Sequence, residues 1–187
     1  MEKKLFLLDA FALIYRSYYA FIKNPRVNSK GLNTSAIFGF TLTLEEILKK
    51  EKPTHIAVVF DPPSPTFRHE QFPDYKANRP PMPDDLRASI PYIYKIVDAF
   101  NVKGLEVARF EADDVIGTLA GKAEKEGFEV FMMTPDKDYG QLVTDAIKMY
   151  RPRRSGKEVE IIDRERICED FNISDPIGVI DVLALWG

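Results

Sequence analysis

Short apolar runs alternate with longer stretches of helical period along this chain. The runs cover residues 4–8, 55–60 and 128–133, with a weaker one at 105–107. Each has strand length and little polar alternation, as expected of strands buried on both faces. Between them, residues 34–50, 84–100 and 112–125 place apolar side chains three and four positions apart, the period of an amphipathic helix. Strand, helix, strand, helix predicts an α/β fold with a mainly parallel central sheet and helices on both faces. A hairpin is predicted from residues 147–150 and 159–162, turning through Arg153-Arg154-Ser155-Gly156-Lys157. Two helical segments, about 163–171 and 175–186, follow it. There is no internal repeat and no low-complexity tract.

Residues 62–82 break this pattern. The segment carries six prolines, and proline removes an amide donor and restricts the residue before it, so a long helix or regular strand is excluded. A loop this long inside a compact domain is usually functional or disordered. This one retains Phe67, Phe72, Tyr75, Arg68, Lys76 and Arg79, which marks it as a mobile functional segment rather than a polar linker. The last residues, Leu185-Trp186-Gly187, follow an apolar helical run with no polar tail, the expectation for part of a longer protein.

Length and charge narrow the classes. A chain of 187 residues fits one domain large enough to fold without disulfides or a structural metal. Its single cysteine, Cys168, cannot form an internal disulfide, which favours a reducing, cytoplasmic compartment. The N-terminal apolar run is too short for a secretory signal or a membrane span, so no membrane partner is expected. A formal net charge of −3 argues against coating nucleic acid by bulk positive charge. Any nucleic-acid binding must use local basic patches or cations held by acids.

The acids are placed to do this. Asp9 follows the first predicted strand and Asp61 the second; Glu111, Asp113 and Asp114 follow the weak strand and open a helix; Asp136 and Asp138 follow the fourth. In a parallel α/β sheet these strand ends share one edge, the edge where ligands bind. Seven carboxylates at one edge repel one another unless cations compensate. Singly, Asp9 and Asp136 are also compatible with helix N-caps, and Asp113 and Asp114 with first-turn acids. Asp61 is harder to explain so, because prolines follow it and no helix starts there. Together the seven point to a divalent centre.

Hard oxygen donors without a well-placed His55 or His69 select Mg²⁺ or Mn²⁺ over zinc. His55 reads instead as a packing residue at a strand start. Two such ions about 3.5–4 Å apart activate a water and stabilise a leaving oxygen. The expected chemistry is metal-dependent phosphoryl transfer. Arg16, Arg68, Lys76 and Arg79 would steer and clamp a phosphate backbone, and Tyr75 with Tyr15, Tyr18 and Tyr19 offers faces for an unpaired base. Core packing is the alternative for Tyr15.

At these residues the chain resembles a known family. Leu8-Asp9, then Tyr15-Arg16-Ser17-Tyr18, Val58-Val59-Phe60-Asp61 and Thr66-Phe67-Arg68-His69-Glu70 are similar to the opening of the 5′-nuclease domain of bacterial DNA polymerase I. So are Tyr75-Lys76-Ala77-Asn78-Arg79-Pro80-Pro81-Met82-Pro83, Asp84-Asp85-Leu86-Arg87, the run from Glu111 to Leu119, and Asp136-Lys137-Asp138. The resemblance runs from end to end in the family's order.

It implies a PIN-like, resolvase-like nuclease that removes 5′ ends and 5′ flaps from DNA in replication and repair. Asp9, Asp61, Glu111, Asp113, Asp114, Asp136 and Asp138 match its metal-centre acids. Glu111, Asp113 and Asp9 would dominate the first ion, with Asp136 and Asp138 reaching toward the second. Residues 62–83 match its arch, through or beneath which the 5′ strand passes, with Tyr75, Lys76 and Arg79 at the strand and Arg16 assisting. The resemblance makes residues 1–187 the N-terminal, metal-binding part of that nuclease. A further acidic motif, a helical DNA-gripping part and the polymerase region follow in the family. Pro135 and Gly140 depart from residues often found in relatives.

The enzymatic alternative is a ribonuclease with a related acid-floored fold, against which the long arch argues. An aspartyl phosphatase would require a second acid two residues after Asp9, where Phe11 stands. The non-enzymatic alternative is a fragment that binds DNA or metal without cutting.

Overall fold

The computed structural model describes residues 3–151 and 159–186. Six strands are formed, β1 (Lys4–Asp9), β2 (His55–Phe60), β3 (Lys103–Glu106), β4 (Glu129–Met133), β5 (Ile147–Arg151) and β6 (Glu160–Ile162). They make one sheet in the order β3-β2-β1-β4-β5-β6. The helices are α1 (Ala10–Ala20), α2 (Ser35–Lys50), α3 (Phe67–Gln71), α4 (Asp84–Ala99), α5 (Ala112–Lys125), α6 (Arg164–Phe171) and α7 (Val179–Trp186). Two 3-10 turns, Lys137–Leu142 and Pro176–Gly178, complete the set.

Most predicted elements are present. The weak strand begins two residues before its apolar run and ends one residue before it does, at Lys103–Glu106, because pairing with Ala57–Phe60 sets its position. The hairpin strands pair antiparallel, Met149 opposite Ile162 and Arg151 opposite Glu160, and the predicted turn 153–157 lies outside the described residues. The final helical stretch divides into the turn at Pro176–Gly178 and α7. Helix α1 was not among the predicted helical stretches.

By packing, the chain divides into two compact units. One contains the described residues of Met1–Asp9, Pro53–Ile56 and Asp113–Gly187. Here β4 pairs parallel with both β1 and β5, Leu7 opposite Met132 and Phe131 opposite Lys148. Phe6 through Asp9 are all buried, as are Val130 through Met133, so these strands are covered on both faces, the reason for their unbroken apolar sequence. Phe6 stacks on Phe131 at 4.9 Å, and Tyr150 meets both rings edge-on. Gly140 explains itself in this unit. A Cβ there would stand 3.1 Å from Ile167 Cδ1 and 3.4 Å from Val179 Cγ2, so glycine lets α6 and α7 close on the turn.

The other unit comprises Ala10–Lys52 and Ala57–Ala112. Helix α1 buries Ala10, Leu13, Ile14, Ser17 and Tyr18, a stripe at helical spacing. It packs on α2 so closely that a Cβ on Gly39 would fall 2.7 Å from Ser17 Cβ. Helix α2 packs in turn on α4, and α4 on β3. The start of α4 is tied down by Asp85, which accepts hydrogen bonds from Tyr18 (2.9 Å) and Asn33 (2.8 Å). Those bonds, Asn33 foremost, hold the Asp85 carboxyl below the usual carboxylate range despite partial burial.

Candidate functional site

Every predicted acid follows a strand in the chain: Asp9 ends β1, Asp61 comes directly after β2, Glu111, Asp113 and Asp114 come after β3, and Asp136 and Asp138 come after β4. In the unit holding β1 and β4, Asp9 is buried, and its Oδ2 accepts from the Thr134 hydroxyl at 3.2 Å and the Tyr139 hydroxyl at 3.3 Å. Thr134 is itself fully buried, and its oxygen accepts the Asp136 N–H at 3.2 Å. Asp136 caps the turn that follows, accepting from Asp138 N–H at 3.0 Å. Its cap reading is thus correct. Asp136, Asp138 and Asp113 have exposed side chains; Asp114 is half-buried.

The buried Tyr139 hydroxyl registers this concentration of charge. Burial foremost, then the carboxylates of Asp9, Asp113 and Asp136, push its pKa far above the ordinary value of 10.0. Three acids from β1, α5 and the turn after β4 therefore act electrostatically on one hydroxyl. Among the described residues, no three acid, histidine or cysteine side chains form a closed metal cage.

In the other unit, Glu111 is buried and surrounded by donors from the proline-rich segment. Lys76 Nζ lies 2.7 Å from its Oε1, the Tyr75 hydroxyl donates to Oε2 at 2.9 Å, and Arg68 Nη1 stands 3.4 Å from Oε2. Burial opposes the Lys76 charge, but hydrogen bonding and attraction to Glu111 prevail and raise its pKa. Lys76 takes a left-handed backbone, φ 58°, uncommon for a residue with a side chain. Asp61 Oδ1 accepts the N–H of Ala112 at 2.7 Å. It therefore caps a helix after all: α5, 51 residues away, rather than one following it directly.

The segment forms a short helix, α3, near its start. Thr66 and His69 form a reciprocal capping box on α3, and Phe67 N–H donates to Arg109 O at 2.9 Å. His69 thus has a capping role, and His55 packs edge-on against Phe128 at 5.0 Å. Arg79 is exposed and acts electrostatically on Tyr15, which stacks at 6.3 Å on Tyr19; Arg16 is half-buried on α1. Sequence reasoning missed Thr134 and Tyr139. Their only signal was closeness to Asp136 and Asp138, because their partner Asp9 lies more than a hundred residues away.

The architecture is shared with a structural class of nucleases. The bacteriophage T5 flap endonuclease, solved in a pseudo-enzyme-product complex with DNA and metal ions, superposes with a TM-score of 0.69 over 98% of this chain and 66% of its own, at 20% identity. Residues 4–172 match the model of the 5′-3′ exonuclease N-terminal resolvase-like domain, and the chain belongs to that family. DNA polymerase I of Bacillus subtilis is 40% identical over the whole chain, which spans 21% of that protein. A 5′-3′ exonuclease of Aquifex aeolicus is 40% identical over 99% of the chain, which spans 62% of it. No helix among the described residues is long and apolar enough to cross a membrane.

Proposed function

We propose that this chain is the metal-binding part of a 5′-nuclease that hydrolyses DNA phosphodiester bonds at 5′ ends and 5′ flaps. The parent protein on this reading is a cytoplasmic DNA polymerase I acting in replication and repair, with its polymerase region in the same chain. The observation that carries the reading is the succession of acids at the end of β1 and in the stretches that follow β2, β3 and β4, in a member of this family. The T5 relative's complex with DNA and metal ions supports it.

The donor set fits a hard divalent cation. All seven acids offer carboxylate oxygen, and Asp9, Asp113 and Asp136 act together on the Tyr139 hydroxyl. A closed cage is not required, since Mg²⁺ keeps several waters and uses one or two carboxylates with substrate phosphate. Asp9, Glu111 and Asp113 would hold a first Mg²⁺ or Mn²⁺, Asp136 and Asp138 a second, with Asp61 and Asp114 completing the centre. Bound, the ions would supply nucleophile activation and stabilisation of the leaving oxygen.

The chain's own groups do the rest. Residues 62–83 form the arch, and Tyr75, Lys76 and Arg79 meet the 5′ strand there. Lys76 stays protonated at neutral pH and presents a point charge to phosphate, while Arg68 and Arg16 add donors. The test is cleavage of a 5′-flap DNA with Mg²⁺ or Mn²⁺ by this chain and by the longer protein that contains it, with Asp113→Ala in each. Metal-dependent cutting lost in the variant supports the reading. Inert DNA in both proteins sinks it, and a preference for RNA flaps transfers it to a ribonuclease.

A further inference from the structure

We infer that Tyr139 is a positioning residue for the metal centre, holding Asp9 in register with the turn that carries Asp136 and Asp138; this rests on the metal reading above. A carboxylate only accepts, so both hydroxyls on Asp9 Oδ2 are donors. Two donors on one oxygen fix the plane and rotation of the carboxylate. At 3.2 and 3.3 Å each bond is long for two oxygens, and the two act on the same atom.

The arrangement links elements far apart in sequence. Thr134 joins Asp9 to the Asp136 N–H, and Tyr139 joins Asp9 to the turn itself one residue beyond Asp138. Gly140 then seats that turn against Ile167 and Val179. The acids from the ends of β1 and β4 thereby become one mechanical unit. A packing role alone would be met by phenylalanine. The buried hydroxyl must find an acceptor to offset its desolvation, and the acceptor it finds is a ligand candidate. Groups bonded to metal ligands set ligand orientation and basicity.

The experiment is Mn²⁺ titration calorimetry on this chain and its Tyr139→Phe, Thr134→Val, Thr134→Ser and Asp9→Ala variants, with thermal melts in chelator. Tyr139→Phe is expected to weaken Mn²⁺ binding about ten-fold, the lower end for such partners, with the metal-free melt near wild type. Thr134→Val should weaken binding similarly and Thr134→Ser should retain it. Wild-type affinity in Tyr139→Phe overturns the inference, as does a loss matched by a lower metal-free melt. A wild-type chain that binds no Mn²⁺, or binding unmoved by Asp9→Ala, overturns the metal reading and this inference together.

Discussion

Lys76 and Glu111 meet at 2.7 Å, a cation from the proline-rich segment set on a carboxylate that is 6% exposed. They are 35 residues apart in sequence, and the Lys76 backbone turns left-handed at φ 58° to make the contact. The pair fastens the proline-rich segment to Glu111. Lys76→Met leaves Glu111 buried with only Tyr75 and Arg68 among these donors. The expected cost is about 1–3 kcal/mol, the penalty of removing one hydrogen-bond partner from a buried acceptor. Urea unfolding of both proteins measures it, and equal stabilities would show that the pair contributes nothing.

Asp85 predicts an acid dependence. Its folded pKa is held below the ordinary 3.8 by Asn33, Tyr18 and the Leu86 N–H. For a carboxyl lowered on folding, the stabilisation is full above the unfolded value and fades as pH falls through the folded one. Asp85→Asn should therefore be less stable at neutral pH, and the gap should close below about pH 3.8. Thermal melts from pH 7 to pH 2.5 test this. A gap that persists unchanged at the acid end contradicts it.

Gly39 predicts a steric effect opposed to helix propensity. Alanine favours a helix interior by about 1 kcal/mol over glycine. A Cβ at Gly39, however, would lie 2.7 Å from Ser17 Cβ and force α1 from α2. Gly39→Ala should destabilise by about 1–3 kcal/mol, and the penalty should shrink in a Ser17→Gly background. Denaturant midpoints of the four proteins in the cycle decide it.

Metal addition should raise thermal stability on the proposed reading. A ligand at about 100 times its Kd adds about 2.7 kcal/mol, equivalent to roughly 5–10 °C for a chain of this size. Mn²⁺ should produce that shift, EDTA should reverse it, and Asp9→Ala should remove most of it. An equal shift in the variant would place the ion elsewhere.

Much of this fold was legible because local period carried it. Helix α5 spans Ala112–Lys125, as its spacing predicts, and β2 spans His55–Phe60. Helix α1 escaped because Phe11, Ala12 and Tyr15 fill in its polar face and blur the stripe of Leu13, Ile14, Ser17 and Tyr18. The acids were legible as strand-end residues. Their partners were not: Tyr139 reaches Asp9 across 130 residues and Lys76 reaches Glu111 across 35, and only the folded chain brings them together.

Strand β3 has a consequence beyond holding the acids that follow it. It is an outermost strand of the sheet, four residues long, with Lys103 and Glu106 at its ends and most of its surface exposed. Its open row of peptide groups is short and flanked by opposite charges. A strand arriving from another molecule would gain few ladder bonds and would have to strip water from both charges. The margin that supports this chain's own acids is thus a poor template for a neighbour's strand.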